Sequence, residues 1–166
     1  RREYNLDNVS FFVGDICEFD QNELFDVIIC FETIEHVSGY RAALKNLYSL
    51  LVYGGALIIS SPNRIITSPR AKSIEDKPVN KFHTQEFTPD ELESILAETD
   101  FYVGKGNIFG QRQRFLYNRK VFQYLIRITR FPDVFAFFTS PELTPVKNLA
   151  PRYFVAVAHK EAQPNL

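Results

Sequence analysis

The sequence contains no methionine, only two cysteines and almost no net charge, and each absence excludes something. Translation starts with methionine, whereas this chain starts with Arg1, so residues are expected to precede it. Cys17 and Cys30 stand in neither a metal nor a redox spacing, and a buried thiol in a reducing, cytoplasmic setting is the natural reading of Cys30. A formal net charge of −1 gives no global pull toward nucleic acid or an acidic membrane. No apolar stretch approaches the roughly 18–20 residues needed to span a bilayer. The opening Arg1-Arg2-Glu3-Tyr4-Asn5 lacks the apolar run of a secretory signal. What remains, at 166 residues with 45% hydrophobic and 23% charged side chains, is one soluble globular domain.

The patterning is that of alternating strands and helices. Residues 9–13 (Val-Ser-Phe-Phe-Val) read as a strand closed by Gly14-Asp15. Residues 25–31 are almost continuously apolar, as in a strand buried on both faces of a parallel sheet. Ala43, Leu44, Leu47, Leu50 and Leu51 recur at helical spacing, and Gly54-Gly55 reads as the stop. Residues 56–60 form a second buried strand ended by Ser61-Pro62-Asn63. Residues 64–87 are polar and irregular, long for a plain connector and suited to a lid. Thr88-Pro89-Asp90-Glu91 carries the signature of a capping box: Thr88 as N-cap, Pro89 at the first helical position, Glu91 at the third. A strand is expected to begin at residues 101–103, a basic amphipathic helix to occupy 112–131, and a closing strand 153–158. The pattern argues for α/β layering around a parallel sheet.

Three stretches carry a family resemblance. They are Val13-Gly14-Asp15-Ile16, then residues 25–37 ending in Glu35-His36-Val37, then residues 50–60 with Gly54-Gly55 at a strand entry. In this order and spacing they resemble class I S-adenosylmethionine-dependent methyltransferases of the small-molecule and ubiquinone-biosynthesis group. Tyr53 stands where proline is common in that group, and His83-Thr84-Gln85-Glu86-Phe87-Thr88 is a phrase that also recurs in it. The resemblance implies a Rossmann-like α/β methyltransferase fold, a three-layer α/β/α arrangement of mainly parallel strands. It also implies a sheet incomplete at the N-terminus, because the family's glycine-rich cofactor turn and the acidic residue that binds the ribose have no counterpart here. On this reading residues 1–166 are the C-terminal part of one methyltransferase domain, with lid or insert regions at about 64–87 and 112–150.

The implied cofactor is S-adenosylmethionine, and the implied reaction is methyl transfer to a small molecule. By resemblance Asp15 contacts the adenine amino group and Ile16 packs beside the ring, while Phe31 and Glu32 line the methionine portion. The same Asp15 also suits a loop aspartate that caps local backbone. His36 and His83 are the candidate bases, since an imidazole titrates near working pH. Each also suits a structural hydrogen bond. The Glu35-His36 pair is compatible with a metal, but two donors at this spacing do not define a site, and no metal is assigned. His159, beside Lys160, reads as exposed.

Residues 112–131 read as a substrate lid, with peripheral membrane contact as a second use. The near-neutral chain argues against a wide phosphate footprint on nucleic acid. Two other function classes stay open at this level. One is a non-catalytic methyltransferase-like assembly module, and the other a nucleotide-sugar or nicotinamide enzyme of the Rossmann class.

Overall fold

The computed structural model describes residues 8–113, 141–145 and 151–161. Within them a five-stranded sheet forms from β1 (Phe25–Cys30), β2 (Leu51–Pro62), β3 (Ile108–Gln113), β4 (Pro141–Pro145) and β5 (Tyr153–His159). The strand order is β1-β2-β5-β3-β4. Helices α1 (Tyr40–Ser49), α2 (Arg64–Thr67) and α3 (Pro89–Glu98) join a 3₁₀ turn at Ile34–His36.

Side-chain periodicity explains which faces meet. Ala43, Leu44 and Leu47 form the buried stripe of α1, and Leu92, Ile95 and Leu96 that of α3. They pack on Cys30 of β1, Leu57 and Ile59 of β2, and Phe154, Ala156 and Ala158 of β5, which alternate onto one face of the sheet. The α3 start is the expected capping box. Thr88 Oγ1 accepts the Glu91 N–H at 3.2 Å, and Glu91 Oε2 accepts the Thr88 N–H at 2.8 Å. At the other end of the domain Lys160 is buried and donates to the carbonyls of Tyr48 and Leu51 at 3.1 and 2.8 Å, capping the end of α1.

Several expectations are corrected. Only β1 and β2 pair in parallel; β2–β5, β5–β3 and β3–β4 are antiparallel, so the described sheet is mixed. The cause is where the chain enters β5. Asn63, just past β2, donates its N–H to Arg152 O at 2.8 Å and its Nδ2 to Pro151 O at 2.9 Å, so β5 starts beside the end of β2 and runs back along it. The three-layer arrangement is not seen among the described residues. Their core lies on one face, while Val27 and Ile29 on the other face of β1 are 52% and 61% exposed. Residues 9–13 form no strand: no ladder pairs them, and Phe11, Phe12 and Val13 are exposed.

Gly54-Gly55 does not stop a helix. The α1 helix ends at Ser49, and the pair lies inside β2, where the register slips from Phe25↔Leu51 to Val27↔Ala56. Gly54 supplies φ +81° for that irregularity, and a Cβ on Gly55 would lie 2.9 Å from Val52 O and 3.1 Å from Asp26 O. Both obstacles are backbone, so Gly55→Ala is expected to cost about 1–3 kcal/mol, read as a lower urea midpoint with unchanged m-value.

Near residue 102 there is only a two-residue bridge, Tyr102 with His159, and β3 starts later, at Ile108. That bridge and the ladder to Ala56 leave His159 half-buried rather than exposed. Arg112 and Gln113 belong to β3, not to a helix. The rest of the expected basic segment lies outside the described residues.

Candidate active site

Strand β1 runs to Cys30 at the carboxyl end of the parallel pair, the edge at which open α/β sheets place their ligands. Just beyond it Phe31 is 51% exposed, and Glu32 adopts φ +45°. A non-glycine residue in that region is strained, and strain of this kind collects at functional turns. Ser60, next door on β2, holds the turn: its hydroxyl accepts the Glu32 N–H at 2.9 Å and donates to Glu32 Oε1 at 2.8 Å.

The following 3₁₀ turn carries Ile34, Glu35 and His36. His36 Nδ1 lies 2.8 Å from the Phe82 carbonyl. A carbonyl only accepts, so Nδ1 carries the proton and Nε2 is left with a free lone pair. No hydrogen bond occupies Nε2 among the described residues, and His36 is exposed.

His83 comes from residues 64–87 and meets His36 edge to face, with ring centroids 4.9 Å apart. Both its nitrogens are engaged: Nδ1 lies 2.6 Å from Glu86 Oε1, and Nε2 lies 2.8 Å from Asn80 Nδ2.

Three neighbours of His83 were not assigned roles from sequence. Gln85 is buried and donates from Nε2 to the carbonyls of Ile34 at 2.7 Å and Val37 at 3.0 Å. Thr84 donates from its N–H and hydroxyl to Glu35 O at 2.8 and 2.9 Å. Glu86 is 1% exposed and takes both His83 and the Thr67 hydroxyl. The family phrase beginning at His83 was the signal that marked them, but it did not say that they clamp a turn some fifty residues earlier.

Glu35 is fully buried, and neither carboxylate oxygen has a hydrogen-bond partner among the described residues. Burial pushes its pKa above the ordinary carboxylate range; its own backbone amide and the two imidazoles pull the other way, and Glu32 adds to the rise. Burial and the nearby Glu35 likewise push the Cys30 thiol up to about 11, which makes Cys30 an inert buried thiol. A carboxyl whose folded pKa is raised favours the folded state while protonated. That contribution is complete below the unfolded value and is lost as pH rises through the folded one. Glu35→Gln is therefore expected to gain on the wild type as pH rises from acid toward neutral, by about 1–3 kcal/mol. Urea midpoints of both proteins across that range check it; parallel curves would contradict it.

One oxygen of Glu35 and one nitrogen of each imidazole approach within 4.8 Å of one another. As arranged, only Glu35 and His36 Nε2 are free, two donors rather than the three or four of a usual protein cation site.

The Asp15 loop sits on the α1 side. Asp15 is exposed, and its Oδ1 accepts the Cys17 N–H at 2.8 Å, the local capping role. Asn46 of α1 anchors the loop by donating to Ile16 O and Phe19 O at 3.0 and 2.9 Å, and Ile16 packs against the core. Cys17 Sγ lies 3.7 Å from Gly39 O, so the loop reaches the start of α1, three residues past His36. His36 and His83 thus meet beyond the end of β1, where Phe31 and Glu32 also lie, while Asp15 and Ile16 belong to a loop tied to α1.

Residues 4–105 match a family described as the methyltransferase domain. The chain belongs to that family. Methyltransferases of this class use S-adenosylmethionine. Among curated proteins, the chain is similar to a "Probable S-adenosylmethionine-dependent methyltransferase" of Mycobacterium tuberculosis, with 38% identity over 76 residues, 46% of this chain and 26% of that protein. It is also similar to the ubiquinone biosynthesis O-methyltransferase of Rickettsia akari, 28% identical over 110 residues, 61% of this chain and 43% of the relative. The matches span less than half the length of each relative.

Among solved structures, a SAM-dependent methyltransferase from Thermotoga maritima aligns with TM-score 0.62 at 17% identity, covering 89% of this chain and 62% of that one. The N-methyltransferase NodS of Bradyrhizobium japonicum aligns with TM-score 0.54 at 18% identity, covering 95% and 57%. Both show the methyltransferase-like α/β fold. Among the described residues no helix is long and apolar enough to cross a membrane.

Proposed function

We propose that this methyltransferase domain takes part in S-adenosylmethionine-dependent methyl transfer to a small molecule that carries a hydroxyl or amine. The observation that carries the reading is the free Nε2 of His36, held in its acceptor tautomer by the Phe82 carbonyl beside the strained Glu32 turn. When bound, the cofactor supplies an activated methyl group on a sulfonium. The residues that would hold it are Asp15, exposed with acceptor capacity to spare, the neighbouring half-buried Ile16, and Phe31 and the Glu32 carbonyl at the open end of β1. The chain's own work is to position the acceptor and take its proton.

His36 Nε2 is the more open of the two bases. His83 bears on the same space from the lid-like residues 64–87, and its edge-to-face contact fixes the His36 ring. Incubating the complete protein with methyl-labelled S-adenosylmethionine and a panel of phenols, catechols and primary amines tests the reading. Labelled product from one acceptor class is expected. No label in any product, with no binding of S-adenosylhomocysteine, would favour the assembly-module reading instead.

A further inference from the structure

Glu86 is a fully buried carboxylate that reaches no solvent and neutralises no lysine or arginine among the described residues. Its Oε1 meets His83 Nδ1 at 2.6 Å, and its Oε2 receives the Thr67 hydroxyl at 2.5 Å. Burying a carboxylate is costly unless it is hydrogen-bonded, and here the bond is placed on one nitrogen of an imidazole.

The other nitrogen is specified independently. Asn80 Oδ1 accepts the Phe82 N–H at 3.1 Å, so its Nδ2 is the end that faces His83 Nε2, at 2.8 Å. An amide N–H can only donate, so Nε2 is an acceptor and Nδ1 carries the proton. Two unrelated contacts thus select one tautomer of His83, with its lone pair directed toward an exposed, replaceable side chain. A buried carboxylate behind a base and a removable donor in front of it is the layout of an oriented general base.

We propose that Glu86 and Asn80 are positioning residues for His83. Glu86 fixes and strengthens Nε2 as a proton acceptor, and Asn80 caps Nε2 until the acceptor molecule displaces it. The inference rests on the methyl-transfer reading above and deepens it. For an acceptor that displaces Asn80, His83 rather than His36 is the base: the acceptor's O–H or N–H bond breaks, a bond from its proton to His83 Nε2 forms, and the electron pair stays on the acceptor atom. The imidazolium then returns the proton to solvent.

The tests use the complete protein. Glu86→Gln keeps the shape and removes the charge. It is expected to lower kcat about 10–100-fold, less than the 10²–10⁴-fold that the positioned base itself contributes, with KM unchanged. In a His83→Ala background the same substitution should do nothing further, because Glu86 acts through His83.

Two readouts need no turnover. The wild type should show an imidazole Nδ1–H proton resonance downfield of the backbone amides, lost in Glu86→Gln. Acylation of His83 by diethyl pyrocarbonate should be about tenfold slower in Glu86→Gln, the factor for losing a charge-assisted bond, and faster than wild type in Asn80→Ala. An absent downfield proton together with unchanged acylation rates would overturn the inference, as would an equal loss of kcat with and without His83. If the wild type transfers no methyl group while both spectroscopic and acylation results hold, the parent reading fails and the positioning of His83 stands.

Discussion

His36→Ala in the complete protein is expected to lower kcat by about 10²–10⁴-fold, the contribution of one positioned base, with little change in cofactor affinity. His36 is exposed, so its removal leaves no cavity. Its Nδ1–H contact to Phe82 O is a single bond on an irregular segment, which limits the structural damage. The loss should therefore appear in single-turnover chemistry rather than in Tm. His36→Gln, which keeps a donor for Phe82 O but cannot take a proton near neutrality, should be as impaired as alanine. Activity close to wild type in either variant would remove His36 from the role of base.

Gln85→Leu is expected to be the most damaging polar-to-apolar change at the site. Its amide serves the Ile34 and Val37 carbonyls, the two ends of the 3₁₀ turn that presents Glu35 and His36. Leucine fills similar space but removes that donor from both carbonyls. Ile34 O keeps the Val37 N–H at 3.3 Å, whereas Val37 O, which is partly buried, loses the amide, and an unsatisfied buried group costs about 1–3 kcal/mol. A loss of about 1–3 kcal/mol in urea unfolding follows. Because the turn carries His36, kcat should fall at temperatures where the variant is still folded. Gln85→Glu is a sharper control: it keeps length and places a charge between two acceptors, so it should be worse than leucine near neutral pH. Wild-type stability in Gln85→Leu would show that water replaces the amide.

Local chemistry was legible in the sequence, and distant partnership was not. The stripe of Ala43, Leu44 and Leu47, and the Thr88–Glu91 capping box, depend on neighbours three or four residues away, and both form as read. The strands over 25–31, 56–60 and 153–158 are present because their apolar runs have no polar alternative. Residues 9–13 carry the same composition yet form no strand, since a strand needs a neighbour's hydrogen bonds as well as a pattern. Gly54-Gly55 was misread for a related reason. Glycine marks an unusual backbone, but only the register across to β1 shows whether it ends a helix or builds a bulge.

The same divide runs through the site. Phe31, Glu32 and His36 fall within one short stretch, so their gathering followed from the strand that precedes them. Ser60 behind Glu32, Gln85 behind the 3₁₀ turn and Glu86 behind His83 are separated from their partners by fold rather than by periodicity, or else look like ordinary polar loop residues. Of the two histidines, the structure separates the one with a free nitrogen from the one held at both. Sequence alone offered both as candidate bases.

The most direct test of this account is hydrogen exchange on the complete protein titrated with S-adenosylhomocysteine. Saturable binding is predicted, with protection concentrated in the Asp15–Ile16 loop and in the segment from Phe31 to His36. Absence of saturable binding, or protection that spares both segments, would contradict the placement of the cofactor at this sheet edge.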